Sequence, residues 1–296
     1  MTTASAEDGS FSFESIPYGT WYVREIEQPA GFVLDDTIYP VTIGADGQVV
    51  EIEIVNRYVR GNIHLTKVDS EYPDNKLTGA TFEVYKDSNA TGNLDDGDEL
   101  LGTLTEKEIG EYSMNDLFYG RYFVKETKAP DGFVLDTGVY EVMIDTNGKT
   151  YKVENKAGVG FVNDAMRGNL KIIKTSSDGK VKGFAFRITG ANGYDIILET
   201  NDKGEIFIDG LRIGDYTISE VSNSASSMYV IPADKKATVK IGSTTIVEMH
   251  NVLRDTPKTG DTTNLPLLYA LAGLSAVGIA VCGVIGFKKK KKEDRN

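Results

Sequence analysis

Three residue types stand where an alternating strand would place apolar side chains. Strand side chains point to opposite faces with period 2. In Ile63-His64-Leu65-Thr66-Lys67, Lys67 shares the face of Ile63 and Leu65, and Lys174 shares that of Leu170 and Ile172. Glu126 falls in phase with Tyr122 and Val124, Glu220 with Tyr216 and Ile218, and Glu25 with Trp21 and Val23. Asn163 follows Phe161 on its face, Asn251 follows Met249, and Asn56 follows Ile54. Burying such groups singly is unfavourable, so a lysine, a glutamate and an asparagine on core faces are expected to meet. Desolvation pulls a lysine pKa down and a glutamate pKa up, which favours the neutral pair. A neutral amine beside an amide carbon is a nucleophile, and a protonated carboxyl on the amide oxygen polarises the carbonyl and moves protons. Contact of this kind supplies effective molarities of roughly 10⁵–10⁸ M. The expected product is a Lys–Asn isopeptide bond, with ammonia released. The plain alternative is a sandwich in which Lys67 snorkels and Glu126 forms an ordinary ion pair. Recurrence of the same phase in several copies favours the chemical reading.

The elements that must hold these residues come in repeats. GSFSFESIPYGTWYVREIEQPAGF from Gly9, GEYSMNDLFYGRYFVKETKAPDGF from Gly110 and GEIFIDGLRIGDYTISEV from Gly204 align at offsets of 101 and 94. VNRYVRGNIHLTKVD from Val55 and VNDAMRGNLKIIKTS from Val162 align at an offset of 107. The middle copy holds 13 extra residues between its lysine and the following repeat, because Lys67 to Gly110 spans 43 and Lys174 to Gly204 spans 30. The polar stretch Asp87–Glu99 is the expected place for them. The runs are short, rich in Val, Ile, Thr, Tyr and Phe, and separated by Asp-Gly and Asn-Gly turns, with no useful amphipathic helix before residue 260. Units of this kind predict an all-β protein of tandem Ig-like β-sandwiches. Residues 1–57 read as the C-terminal part of one sandwich, 58–164 as a whole one and 165–253 as a shorter whole one.

The string YFVKETKAPDGF resembles the glutamate strand of SpaA-type pilin domains, also called collagen-adhesin B-type or prealbumin-like domains. That resemblance implies an autocatalytic intramolecular isopeptide bond. Carried over by position, it links Lys67 to Asn163 with Glu126 as catalyst, and Lys174 to Asn251 with Glu220. Glu25 and Asn56 fit the pattern, but no lysine of this chain completes them. The last unit departs from the family, because VSNSASSMYV follows Glu220 without an Ala-Pro-any-Gly segment. Asn155 also ends a strand-like run (Tyr151, Val153) and competes with Asn163. The residues after Asn163 repeat those after Asn56, which favours Asn163.

The chain ends differently. Leu265–Phe287 is an uncharged run of 23 residues followed by Lys288 to Lys292. About 20 apolar residues span a bilayer as helix, and a basic tail stays cytoplasmic, so the run predicts a transmembrane helix with residues 288–296 inside and the repeats outside. The linker 254–264 carries Thr256-Pro257-Lys258-Thr259-Gly260. Motif, span and tail together resemble the sortase cell-wall sorting signal of Gram-positive bacteria, Leu-Pro-any-Thr-Gly, with Thr256 in place of the leading Leu. The resemblance implies cleavage between Thr259 and Gly260 and transfer of Thr259 to an amine of peptidoglycan or of another pilin subunit. MTTASAEDGS has neither a basic nor an apolar leader segment, which for a protein outside the cell implies a fragment, a misplaced start or an upstream partner region.

Composition narrows the function classes. The 296 residues carry 32 basic and 44 acidic groups, and residues 1–260 hold 26 against 41. So acidic a body is a poor nucleic-acid partner, since phosphate contacts need clustered Lys and Arg. One cysteine, Cys282, excludes an intrachain disulfide framework, and two histidines are too few for a His-rich centre. His64 alternates out of phase with Ile63 and Leu65 and is expected at the surface. Asp87, Asn89, Thr91, Gly92 and Asp98 stand near calcium-loop spacing. With Thr at the fifth position, Asp at the last and no flanking helices, the stretch reads as a solvated acidic hairpin loop. No cofactor, metal or turnover enzyme activity is expected. The sequence predicts a wall-anchored surface stalk or pilin-like protein, partnered by sortase, by peptidoglycan or another pilin subunit, and by the membrane before sorting. The alternative is the spacer of an adhesin with a host or extracellular-matrix ligand, or of a surface enzyme, whose head domain lies upstream.

Overall fold

The computed structural model describes residues 1–255, so the Thr256–Gly260 motif, the apolar run and the basic tail lie outside the described residues. Strands and turns make up almost all of it. Residues 1–58 form two antiparallel pairs, β1 (Gly19–Val23) with β3 (Tyr39–Ile43) and β2 (Phe32–Val33) with β4 (Arg57–Tyr58). None of their side chains joins the buried core, and Trp21 remains 40% exposed because no strand among the described residues covers its face.

The middle sandwich comprises β5 (Arg60–Asp69), β6 (Thr81–Lys86), β7 (Glu99–Thr103), β8 (Thr105–Glu108), β9 (Glu111–Phe118), β10 (Gly120–Lys128), β11 (Val139–Ile144), β12 (Thr150–Lys152) and β13 (Phe161–Asn163). One sheet runs β11-β10-β6-β7, and the other β12-β5-β9-β8 with β13 also paired to β5. The last sandwich comprises β14 (Arg167–Ser176), β15 (Ala185–Thr189), β16 (Asp195–Glu199), β17 (Glu205–Arg212), β18 (Gly214–Val221), β19 (Tyr229–Val230), β20 (Lys235–Val239) and β21 (Thr244–Leu253). Its sheets run β17-β14-β21-β19 and β16-β15-β18-β20.

The alternation read from the sequence is the alternation of burial. In β5 Ile63, Leu65 and Lys67 are buried, in β14 Leu170, Ile172 and Lys174, and in β10 Tyr122, Val124 and Glu126. Phe82, Tyr112, Tyr140 and Phe161 meet edge to face in the middle core, with ring centroids 4.9–5.3 Å apart, a favoured aromatic geometry. The extra residues of the middle copy are divided. Residues 87–98 join β6 to β7 where 190–194 suffice in the last sandwich, and strand β8 has no counterpart there.

Candidate functional site

β5 opens the middle sandwich and β13 closes it, and the two lie side by side in parallel, with Phe161 opposite Lys67 and Asn163 opposite Asp69. In the last sandwich β14 and β21 take the same places, with Met249 opposite Lys174 and Asn251 opposite Ser176. Each lysine therefore stands opposite the residue two places before its asparagine. The glutamates come from the facing sheet, Glu126 opposite Phe82 and Glu220 opposite Phe186. Period 2 turns all these side chains inward, where Lys67, Glu126, Asn163, Lys174, Glu220 and Asn251 are all buried.

Asn163 Nδ2 donates to Glu126 Oε2 at 2.7 Å and to the Val134 carbonyl at 2.5 Å. The Asp136 N–H donates to that same Glu126 oxygen at 2.8 Å. Lys67 Nζ donates to the Phe161 carbonyl at 3.1 Å, so Glu126 spends its bonded oxygen on the asparagine and not on an ion pair with the lysine. Asn251 Nδ2 donates to Glu220 Oε1 at 2.6 Å, while Lys174 Nζ donates to the Thr175 carbonyl and lies 4.1 Å from the centre of the Phe184 ring. In both sandwiches the asparagine Oδ1 and the second glutamate oxygen are buried without a hydrogen-bond partner, which is rare in a folded core and marks a site for explanation.

Burial sets the protonation. Desolvation pulls Lys67 down to about 8 against the opposing pull of Glu126, Asp136 and Asp69, and it also lowers Lys174. It pushes Glu126 and Glu220 up, against the hydrogen bonds from their asparagines. All four groups move toward their neutral forms. The carboxyl meets the amide nitrogen, not the carbonyl oxygen expected from the sequence, because Val134 and Asp136 fix the donors and acceptors around it. Glu126 Oε2 thus accepts from two N–H donors and its other oxygen stays free.

In the first unit Glu25 Oε1 accepts from Asn56 Nδ2 at 2.7 Å and Oε2 from the Asp35 N–H at 2.8 Å, with no lysine bonded to either among the described residues. Asn155 does not meet Lys67; it bonds to Asp136 and to the Val162 backbone. Asp136 was not singled out by strand phase, yet GFVLD occurs at both 31–35 and 132–136 and could have disclosed it. The stretch 87–98 turns its polar groups on itself. Asp87 accepts from the Thr91 and Gly92 N–H groups, Asn89 accepts from Thr91 N–H and donates to Asp95, and Asp98 accepts from Ser88 and Asp95. Among the described residues no group of three or more His, Cys, Asp and Glu side chains is placed to hold a metal ion. His64 is half-buried against Glu111 at 2.8 Å, less open than alternation predicts, because that carboxylate reaches across from β9.

Two-sheet sandwiches in tandem, each with a lysine, a glutamate and an asparagine set into its core, define an all-β repeat protein of prealbumin type. The chain belongs to the SpaA family of prealbumin-like fold domains, which matches residues 1–58, 61–157 and 168–252. It is similar to the trypsin-resistant surface T6 protein of Streptococcus pyogenes, 27% identical over 176 residues, covering 58% of this chain and 29% of that protein. It is also similar to Colossin-A of Dictyostelium discoideum, at 22% identity over 74% of this chain and 2% of that one. The structure of the Bacillus anthracis TIE protein superposes with a TM-score of 0.63 at 26% identity, over 83% of this chain and 44% of that one. The chain thus spans less than half the length of these relatives.

Proposed function

We propose that this chain is a cell-wall-anchored surface stalk or pilin-like structural protein of a Gram-positive bacterium, whose sandwiches weld themselves with Lys67–Asn163 and Lys174–Asn251 isopeptide bonds. The observation that carries it is the shared register, with a buried lysine on the first strand, a buried asparagine on the adjacent last strand and a buried glutamate facing both. Neutral Lys67 Nζ attacks Cγ of Asn163. The proton it sheds passes through the Glu126 carboxyl to Nδ2, the Cγ–Nδ2 bond breaks, ammonia leaves and the Nζ–Cγ amide remains. Lys174, Glu220 and Asn251 act alike. The reaction runs once on its own chain, so the protein is not an enzyme in the turnover sense. Glu25 and Asn56 hold the same glutamate–asparagine contact in the first unit.

Anchoring rests on the tail. Sortase cuts after Thr259 and passes it to peptidoglycan or to another pilin subunit, while residues 265–287 hold the chain in the membrane until then. The streptococcal relative is a trypsin-resistant surface protein, which supports both the location and a protease-hardened body. The working units are 1–57, 58–164 and 165–253, joined through the linker 254–264 to the anchor. Intact-mass measurement of the full chain tests the chemistry. Two ammonia losses are expected, falling to one in Lys67→Ala, and the unreduced mass of the sequence overturns it.

A further inference from the structure

The glutamate and asparagine are 31 residues apart in the first and last units but 37 apart in the middle one. In the last sandwich β21 is one continuous ten-residue strand, paired with β14 from Thr244 to Asn251, and the ladder itself fixes Asn251. In the middle sandwich the six added residues break that strand in two. β12 pairs with β5 as far as Lys152, the chain leaves the sheet after Val153, and it returns as the three-residue β13. A strand so short fixes the position of Asn163 weakly by its own ladder.

Asn155 lies in the excursion and binds the returning strand as a backbone would. Its Oδ1 accepts from the Val162 N–H at 2.6 Å and its Nδ2 donates to the Val162 carbonyl at 2.8 Å, one residue before Asn163. The same Nδ2 donates to Asp136 at 2.6 Å. Asp136 also accepts from Tyr140 Oη at 2.8 Å and from the Gly138 N–H at 2.6 Å, and its own N–H donates to Glu126 Oε2. One connected set therefore runs from β11 through Asp136 to both the catalyst and the strand that carries the acceptor. Among the described residues the last sandwich has no such set: Glu220 accepts only from Asn251, whereas Glu126 accepts from both Asn163 and the Asp136 N–H.

Resting on the isopeptide reading, we infer that Asp136 and Asn155 are positioning residues for the middle cross-link: Asn155 restores the register of Asn163 across the six-residue insertion, and Asp136 joins it to Glu126, which it holds as Asp35 holds Glu25 in the unit without the insertion. Asn155 supplies the strand contact. Asp136 holds Glu126 and adds a negative charge near Lys67. The charged or titratable groups facing this cluster are Lys67 and Asp69 on β5, Glu126 on β10 and Tyr140 on β11, with Asp69 held by Arg212. The Asp136 charge favours the protonated form of Lys67, while on Glu126 its N–H bond, which favours the carboxylate, opposes that charge.

The test uses the full chain and peptide mapping, with the Lys174–Asn251 link as internal reference. Asn155→Ala and Asp136→Asn are each expected to leave that reference complete and the middle link at least ten-fold slower, still forming after purification. Asp136→Asn, having lost the charge, is expected to reach its fastest rate at lower pH than Asn155→Ala, a difference that a purely structural role would not give. Deleting residues 154–159 joins Val153 to Gly160 in unbroken register with β5 and is expected to restore linking without Asn155. Middle links already complete in both purified variants, or identical pH profiles, overturn the inference. So does a deletion variant that folds but stays unlinked. Absence of either link from the wild-type chain instead overturns the isopeptide reading itself.

Discussion

Lys67 stands opposite Phe161 on parallel neighbouring strands, so its amine and the Asn163 amide rise from adjacent strands into one layer of the core. Those strands are the first and last of the sandwich. A bond between the two side chains therefore closes the unit across its points of entry and exit, under the lid formed by Glu126 on the opposite sheet.

Force applied along the chain should pass from β5 through the cross-link to Asn163 and leave residues 68–162 unloaded. In single-molecule pulling, the wild-type middle sandwich is expected to release no length. Lys67→Ala should release those 95 residues, roughly 320 Å at about 3.4 Å each. Equal extension of the two proteins would contradict this.

Glu126→Gln keeps the shape of the side chain but cannot move a proton from Nζ to Nδ2. The middle link should be lost and the last one kept, leaving one ammonia loss in the intact mass. The link closes a loop of 96 residues (67 to 163), and by the loop-entropy relation for disulfides its loss should destabilise the middle sandwich by about 4–5 kcal/mol. Denaturant unfolding resolved for that sandwich measures the difference.

In Asn163→Ala the amine stays free, with a folded pKa lowered to about 8 by burial from 10.5. Below about pH 8 both states hold the proton and the folded state carries the full unfavourable burial of an ammonium. Between about 8 and 10.5 the folded state releases its proton first, the unfolded state binds more, and stability should rise with pH by about 3 kcal/mol. The linked wild type should lack this rise, because an amide does not titrate, and Tyr112 and Tyr140, raised from 10 to about 12 by burial, lower stability toward the top of the window in both proteins. Urea midpoints at several pH values between those limits provide the check, and an equal rise in the wild type would count against the link.

The burial of these polar residues was legible because it disturbs a simple rule: a charged residue in the apolar phase of a strand shows against a period of 2, and repetition removes chance. Lys67, Glu126 and Asn163 were readable for that reason, and so were the strands Thr81–Lys86 and Val139–Ile144 to within a residue. Asn155 was visible only as the end of a strand-like run. Its task depends on the chain leaving and rejoining the sheet between Val153 and Phe161, which no local pattern encodes. Arg212 was equally silent. It aligns with Phe118 in the repeat, and its partners Asp69 and Glu71 are more than 140 positions away.

Arg212 ties the two complete sandwiches together. Its guanidinium binds both oxygens of Asp69 at 2.6 and 2.7 Å and Glu71 at 2.7 Å, and it lies over the Tyr72 ring at 4.8 Å. Asp69 is buried, so Arg212→Ala strands a carboxylate in the core and should destabilise the middle sandwich by about 3 kcal/mol. Adding Asp69→Asn should recover part of that loss, since the stranded charge is then gone. A double variant no more stable than Arg212→Ala would show that the ion pair is not the source.

Tandem mass spectrometry of a proteolytic digest of the full chain reaches the central claim most directly. The account predicts a branched species in which the peptides containing Lys67 and Asn163 are joined through a side-chain amide, with a second such species for Lys174 and Asn251. Recovery of Lys67 and Asn163 on separate, unmodified peptides would contradict it.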